Sequence, residues 1–159
     1  MSERPLDCMA SIHQLLVPVD GSPTSTKALD TAIELARLNG AHIRLFHVID
    51  ELDHVNGFET PKAYREDLLP LMRAGGEKML AQMRRRATEQ GLVCDSVLVE
   101  SGAGRVCEQV AEEARLAHAD MIVLGSHGRR GLARVLMGSD AEQIVRHAPV
   151  PVPVLVVKG

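Results

Sequence analysis

Short apolar runs alternate along this chain with longer segments whose apolar residues recur at helical spacing. The first run, residues 15–19, has the composition of a buried strand. Polar turn residues follow it, and among them Ser22 and Pro23 are typical of the cap and the first position of a helix. Gly40 fits the end of this helix. Its predicted apolar face is formed by Ala28, Leu29, Ala32, Ile33 and Ala36.

The same alternation continues to the C-terminus. It predicts further strands over residues 42–49, 93–99, 121–124 and 152–157, helices over 61–90, 105–117 and 138–147, and a loop over 50–60. We expect Pro70 and the pair Gly75-Gly76 to kink or interrupt the long second helix, because proline lacks a backbone donor.

Strands that alternate with helices indicate a parallel sheet with helices on both faces. Right-handed crossovers leave few arrangements of such a sheet. We therefore predict a Rossmann-like α/β fold with one doubly wound sheet of five parallel strands in the order 3-2-1-4-5. We expect residues 1–11 to form a flexible tail and residues 12–159 to form one domain.

Composition excludes several classes of protein. The net charge of −3 gives no basic field, and 2% aromatic residues are too few for base-stacking surfaces, so we expect no nucleic-acid partner. The run Arg84-Arg85-Arg86 fits a solvated helix face. Cys8, Cys94 and Cys107 form no C-x-x-C pair, which fits a reducing compartment. With neither a signal peptide nor a membrane span in the sequence, we expect a cytoplasmic protein.

The most distinctive segments follow the first and fourth predicted strands. They are Pro18-Val19-Asp20-Gly21-Ser22 and the stretch from Gly125-Ser126-His127-Gly128 to Gly138-Ser139. In the predicted sheet these two strands are neighbours, and the strand order reverses between them. Ligands of open α/β sheets bind beyond the carboxyl ends of strands at such a point, so we expect the functional site there.

The second of these segments has the features of a phosphate site. Gly125 and Gly128 remove side chains and permit positive φ, which would let successive N–H groups converge on an anion. Gly138 and Ser139 begin a helix, whose N–H groups and dipole also attract an anion. An alternative stays open, because glycine after a strand often makes only a turn and Ser139 with Glu142 has the spacing of a capping box. Taken alone, the glycines support turn formation and phosphate binding equally.

Known motifs narrow the possibilities. The chain has neither G-x-x-x-x-G-K-[ST] nor G-x-G-x-x-G after its first strand, so neither a P-loop NTPase nor a nicotinamide dehydrogenase is supported. Ser126 and His127 are adjacent, and adjacent residues rarely form a nucleophile–base pair. A metal site at Asp50, Glu51, Asp53 and His54 is conceivable, but a polar surface loop is the simpler interpretation.

At these motifs the chain resembles the ATP-binding branch of the universal stress protein family. The family pattern G-x-x-G, nine residues, then G-[ST] is matched by Gly125, Gly128, Gly138 and Ser139. Residues 17–22, 47–50, 123–129 and 146–149 are also typical of the family. The resemblance extends over residues 12–157 in the same order and spacing.

The resemblance implies that the chain binds ATP, with Mg²⁺ held through the phosphates. It implies that Asp20 contacts ribose or adenine beside a wall of Pro18 and Val19, and that Val48 borders adenine. The further nucleotide contacts that it implies are Leu124, Gly125, Ser126, His127, Gly128, Arg129, Gly138, Ser139 and Asp140. Two of these residues also have plain structural interpretations, Asp20 as a turn former beside Gly21 and Val48 as core.

The chain departs from the family pattern at two places. Asp140 stands where the family often has a small apolar residue, and a carboxylate about 5 Å from a phosphate charge costs roughly 3 kcal/mol at an effective dielectric of about 20. We expect Asp140 to point to solvent. The proline-rich run over residues 149–154 is one Pro-Val unit longer than usual, which predicts an edge strand from Val154 to Val157. In the family this edge often pairs with a second subunit, which implies a homodimer.

These expectations describe a nucleotide-dependent regulator of the stress response rather than an enzyme. Binding of ATP would order the loop over residues 129–137 and change the surface seen by an unidentified protein partner. Two alternatives remain open. One is a slow ATPase or self-phosphorylating enzyme with Ser126 or Ser139 as the acceptor, and the other is a nucleotide-free dimeric interaction module.

Overall fold

A sheet of five strands in the order β3-β2-β1-β4-β5 forms the centre of the molecule. All four neighbouring pairs are parallel. The strands are β1 (Gln14–Pro18), β2 (His42–Ile49), β3 (Cys94–Glu100), β4 (Met121–Gly125) and β5 (Val154–Val157). The computed structural model describes residues 11–51, 61–102, 104–128 and 137–159. The predicted α/β class and strand order are confirmed.

Helices cover both faces of the sheet. They are α1 (Pro23–Asn39), α2 (Pro61–Ala63), a π-helix (Tyr64–Leu68), α3 (Leu69–Thr88), α4 (Val106–Leu116) and α5 (Ser139–His147). Alternate residues of the strands point to opposite faces, so Leu15 and Val17 pack with α1 and α3, whereas Leu16 packs with α4 and α5. The sheet is therefore doubly wound, as predicted, and its core is aliphatic on both sides.

The ends of α1 follow directly from its sequence. The side chain of Ser22 accepts the N–H of Ser25 at 3.2 Å, and Pro23 occupies the first turn. Gly40 ends the helix in the left-handed region at φ 68°, where a side chain would be strained. All five residues of the predicted apolar face are buried.

The second long helix differs from the prediction. Helix α3 runs without interruption through Gly75 and Gly76. The irregularity lies ahead of it, where the π-helix ends just before Pro70, which has no N–H to donate. Gly76 is buried, and a methyl group on it would lie 3.0 Å from both His47 and Leu98. Close packing on the sheet thus keeps the helix continuous across residues of low helix propensity.

A charged cluster ties α4 to the sheet. The guanidinium of Arg44 on β2 donates to Asp95 on β3, with distances from 2.7 to 3.2 Å. Its remaining nitrogen donates to Glu113 of α4 at 2.9 Å. Glu113 is buried, so its carboxylate depends on Arg44 for charge compensation.

The last strand lies at the edge of the sheet, as predicted. Strand β5 pairs with β4 on one side, in a register that sets Ile122 beside Val154 and Gly125 beside Val157. Within the described ranges, the helices are too short or too polar to cross a lipid bilayer. Residues 1–10 of the predicted N-terminal tail and most of the predicted loop over residues 50–60 lie outside the described residues.

Candidate functional site

The carboxyl ends of β1 and β4 lie side by side and carry the two segments singled out in the sequence. After β1, the carboxylate of Asp20 accepts the N–H of Ser22 at 2.9 Å, and Gly21 adopts a positive φ of 79°. This is an aspartate turn, so the structural interpretation of Asp20 is confirmed. The turn leads directly into α1 and sets its first residues against the segment that follows β4.

The first turn of α1 contacts the loop after β4 through its hydroxyl groups. Thr24 Oγ1 donates to the carbonyl oxygen of His127. Ser22 Oγ lies 3.5 Å from the same oxygen and 3.2 Å from Thr24 Oγ1. Thr24 was not predicted as a site residue. The available signal was its position, two residues beyond the Ser22 cap, in the helix that follows β1, the strand beside β4.

Of the two reasons predicted for the glycines at the end of β4, the missing side chain is confirmed and the positive φ is wrong. Neither Gly125 nor Gly128 has a positive φ. A methyl group on Gly125 would lie 2.7 Å from the carbonyl carbon of Thr24, so this glycine allows backbone contact with α1. A methyl group on Gly128 would lie 2.8 Å from the carboxylate of Asp20. Gly125 therefore needs glycine for close approach of two backbones, whereas Gly128 lies beside the end of an aspartate side chain.

The start of α5 reaches back to the same loop. Gly138 donates its N–H to the carbonyl of Ser126 at 2.6 Å. A methyl group on Gly138 would lie 3.5 Å from His127 Cα and 3.8 Å from the nitrogen of Gly128. The structure thus brings together the end of β4 and the N-terminus of a helix, the two sources of N–H groups that the sequence predicted.

The helix cap differs from the predicted capping box. Gly138 is the N-cap residue, with φ −70° and ψ 157°, and Ser139 is the first residue of α5. The side chain of Glu142 accepts from Arg146 instead of returning to the cap. Because glycine has no side chain, the cap residue supplies no side-chain oxygen to the first amides of the helix. Ser139 and Asp140 are both exposed at this end, as expected for Asp140.

Ser126, the residue that follows β4, is fully buried. Its N–H donates to the carbonyl of Val157 at 2.8 Å, and its hydroxyl lies 2.9 Å from His127 Nδ1. The hydroxyl is therefore enclosed and engaged with its neighbour. This pair holds the loop at the point where it leaves the sheet.

Apolar residues lie at the carboxyl ends of the same strands, beneath the loops. Val19 and Leu124 are buried, and Val48 packs against the core on the side of α4 and α5. His47 was not predicted as part of this region, yet its Nδ1 lies 2.7 Å from the carbonyl of Val19. Pro18 ends β1 opposite Phe46 of β2. Arg129 and the rest of the loop to residue 136 lie outside the described residues.

A small pocket opens between β2, α4 and α5 at this edge. Its volume is about 120 Å³, less than the roughly 300–1,000 Å³ of typical ligand pockets. It is lined by Asp50, Arg105, Val106, Cys107, Asp140 and Gln143. Asp140 thus shares a pocket with the cationic side chain of Arg105.

The first turn of α4 holds Arg105 in place. Glu108 accepts from the backbone N–H of Arg105 at 3.1 Å and from its guanidinium at 2.9 Å. These contacts, the backbone one foremost, lower the pKa of Glu108. Across the part of the chain that the structure describes, His, Cys, Asp and Glu side chains form no group of three or more that could hold a metal ion. Asp53 and His54 of the conceivable metal cluster fall outside that part.

Comparison with known proteins gives consistent similarities over nearly the whole chain. The family model described as the universal stress protein family matches residues 11–158. A universal stress protein of Methanocaldococcus jannaschii is 32% identical over 145 residues, which span 91% of this chain and 81% of that protein. The solved structure of the hypothetical protein MJ0577 has a TM-score of 0.81 at 25% identity and covers 94% of this chain and 97% of its own. A family member from Burkholderia pseudomallei has a TM-score of 0.73 at 31% identity, with coverages of 93% and 97%.

Two further solved structures share the fold and contain a ligand. A universal stress protein in complex with cAMP has a TM-score of 0.66 at 22% identity, covering 94% of this chain and 98% of its own. The universal stress protein of Archaeoglobus fulgidus in complex with dAMP has a TM-score of 0.63 at 21% identity, with coverages of 93% and 99%.

Proposed function

Because this chain belongs to the universal stress protein family, we propose that it binds ATP at the carboxyl edge of its sheet and acts as a nucleotide-dependent regulator. The observation that carries this proposal is the contact of Gly138 with Ser126–Gly128, which sets the N-terminus of α5 beside the loop after β4. A helix N-terminus directs its N–H groups and its dipole toward an anion, and we propose that amides of the loop after β4 face the same anion. The phosphates of the nucleotide would lie there.

The adenosine part would lie toward β1 and β2. Asp20 is positioned by its own turn at the end of β1, beside Gly128, and would contact ribose or adenine. Val19 and Leu124 are buried, so they would meet the ligand through backbone atoms, with Pro18 and Val48 beside them. The complexes of related folds with cAMP and dAMP support an adenine nucleotide as the ligand class.

The charge of Asp140 is compatible with this site. Its side chain is exposed, so solvent screens part of its repulsion for phosphate. Mg²⁺ bound to the phosphates and Arg129 would offset more of it. Asp140 would therefore lower the affinity for ATP without preventing binding.

The burial of one candidate acceptor argues against phosphoryl transfer to it. Ser126, one of the two acceptors considered for phosphoryl transfer, is fully buried with its hydroxyl against His127. A buried hydroxyl has no line of approach to a γ-phosphate on the surface. We propose instead that ATP orders the loop between Gly128 and Gly138 and so alters the surface offered to a protein partner.

Nucleotide analysis combined with calorimetry tests the proposal. Freshly purified protein is denatured and its released small molecules are identified, and stripped protein is then titrated with ATP in Mg²⁺. In Gly138→Val the added methyl groups would fill the space beside His127, and we expect ATP affinity to fall by at least about tenfold. Gly75→Val is the matched control, since a methyl group there meets nothing within 4 Å. Protein that releases no nucleotide and gives no heat with ATP contradicts the proposal.

We propose further that two chains associate through β5. Val157 and Pro153 use their carbonyls to accept from β4, and in a parallel ladder the intervening Val154 and Val156 then direct their backbone groups outward. Val156→Pro removes an outward donor and leaves the inner ladder intact, so we expect monomers in sedimentation equilibrium. Val145→Ala, on the surface of α5, is the control. A wild-type monomer, or a dimer unaffected by Val156→Pro, would rule this interface out.

A further inference from the structure

The carbonyl of His127 is held from the side of α1. Thr24 Oγ1 donates to this oxygen, and Thr24 is the second residue of α1. Ser22 Oγ is farther from it, at 3.5 Å, and already accepts the N–H of Ser25 as the helix cap. Thr24 is therefore the main donor to the His127 carbonyl.

Because the peptide unit is planar, this contact also fixes the direction of the Gly128 N–H. The peptide between His127 and Gly128 is trans, so the carbonyl of the first residue and the N–H of the second point in opposite directions. With the carbonyl held against α1, the N–H of Gly128 points away from α1. The start of α5 lies close to Gly128, since a methyl group on Gly138 would be 3.8 Å from the Gly128 nitrogen.

The preceding peptide is held in another way. The carbonyl of Ser126 accepts the N–H of Gly138 at 2.6 Å, so this carbonyl faces α5. By the same planarity, the N–H of His127 points away from α5. Of the two successive amides, that of Gly128 is the one whose direction the Thr24 contact sets.

We infer that Thr24 is a positioning residue for the nucleotide site, which aims the Gly128 amide at the phosphates by holding the His127 carbonyl. This inference rests on the proposed function and names a residue outside the glycine motif. It also explains why α1 and the loop after β4 approach so closely, since Gly125 permits the backbone contact beside the hydroxyl bond. Thr24 itself touches no phosphate in this arrangement.

Calorimetry with ATP in Mg²⁺ and with adenosine, on the full chain and three variants, tests the inference. Thr24→Val keeps the shape and removes the hydroxyl, so we expect ATP to bind roughly 3- to 10-fold more weakly and adenosine to bind as before. Thr24→Ser keeps the donor and should restore ATP binding. Thr31→Val is the matched control, because it removes a hydroxyl that bonds only to Lys27 of its own helix.

Three results would overturn the inference. They are equal affinity of Thr24→Val and wild type for ATP, an equal loss for ATP and adenosine, and failure of Thr24→Ser to restore binding. The amide resonance of Gly128, titrated with inorganic tripolyphosphate, separates the inference from the proposed function. Wild-type protein that binds no ATP and whose Gly128 amide does not shift rejects both, whereas binding with no dependence on Thr24 rejects only the positioning role.

Discussion

Gly125 and Thr24 are in backbone contact, so close that a methyl group on Gly125 would lie 2.7 Å from the carbonyl carbon of Thr24 and 2.8 Å from its oxygen. Atoms of a helix backbone cannot move aside as the end of a flexible side chain can. We expect Gly125→Ala to lower the free energy of unfolding by about 1–3 kcal/mol, because β4 and α1 must separate. Urea denaturation measures this change. An unfolding free energy equal to that of wild type would show that the contact can relax without strain.

The two adjacent glycines of α3 provide a contrasting pair. A methyl group on Gly75 meets nothing within 4 Å, so Gly75→Ala should raise the free energy of unfolding by about 0.5–1 kcal/mol through helix propensity. A methyl group on Gly76 would press on His47 and Leu98 at 3.0 Å, which should cancel or reverse that gain. Thermal unfolding of the two variants side by side measures the difference. Equal stabilisation by both would contradict the packing described for Gly76.

The charged cluster around Arg44 should matter more than the surface ion pairs. Arg44→Met leaves the buried carboxylate of Glu113 without its cation, and we expect a loss of about 1–3 kcal/mol in the free energy of unfolding. Arg115→Met is the control, since its pair with Glu112 is exposed and should contribute less than about 1 kcal/mol. Chemical denaturation at neutral pH distinguishes the two. Equal losses would mean that Glu113 is compensated by water instead.

The thiol of Cys94 should react slowly despite its partial exposure. Burial, followed by the charge of Asp95, raises the pKa of Cys94 to about 11. Thiolate is the reactive form and is populated above the pKa, so at pH 8 only about one thiol in a thousand is ionised, against roughly a quarter for a free cysteine. We expect iodoacetamide to modify Cys94 at least about a hundredfold more slowly in folded protein than in urea. The rate should rise about tenfold per pH unit toward pH 11.

Peptide mapping by mass spectrometry assigns this modification to Cys94 separately from the other two cysteines. Folded and unfolded protein that react at the same rate at pH 8 would contradict the raised pKa. A rate in folded protein that does not change with pH would contradict it as well.

Hydrophobic periodicity predicted the five strands, and their order was predicted by adding right-handed crossovers and a doubly wound arrangement. Strand β1 and helix α1 are the simplest case, because Ser22, Pro23 and Gly40 mark the helix ends and the apolar spacing marks its face. Helix α3 shows where such reasoning fails. The propensities of Pro70 and the glycine pair predict a break, and the π-helix ahead of Pro70 is an irregularity of that kind. Helix α3 nevertheless continues through the glycines, where Gly76 packs against His47 and Leu98, and local sequence does not report that packing.

The candidate site was only partly predictable for the same reason. The glycines at the end of β4 were identified as distinctive, and of the two reasons given for them the missing side chain is confirmed, whereas positive φ is wrong. What the glycines require is space for Thr24 and Asp20, which come from a segment about a hundred residues earlier in the chain. A motif within one segment carries no information about the residues that a distant part of the chain places against it.

The hydrogen bond from the N–H of Ser126 to the carbonyl of Val157 joins the edge strand β5 to the loop after β4. Displacement of either element therefore works against the same bond. If association of two chains at that strand changes the free energy of ligand binding at the loop, ligand binding must change the free energy of association by an equal amount. One backbone hydrogen bond thus provides a physical route for cooperativity between two copies of this chain.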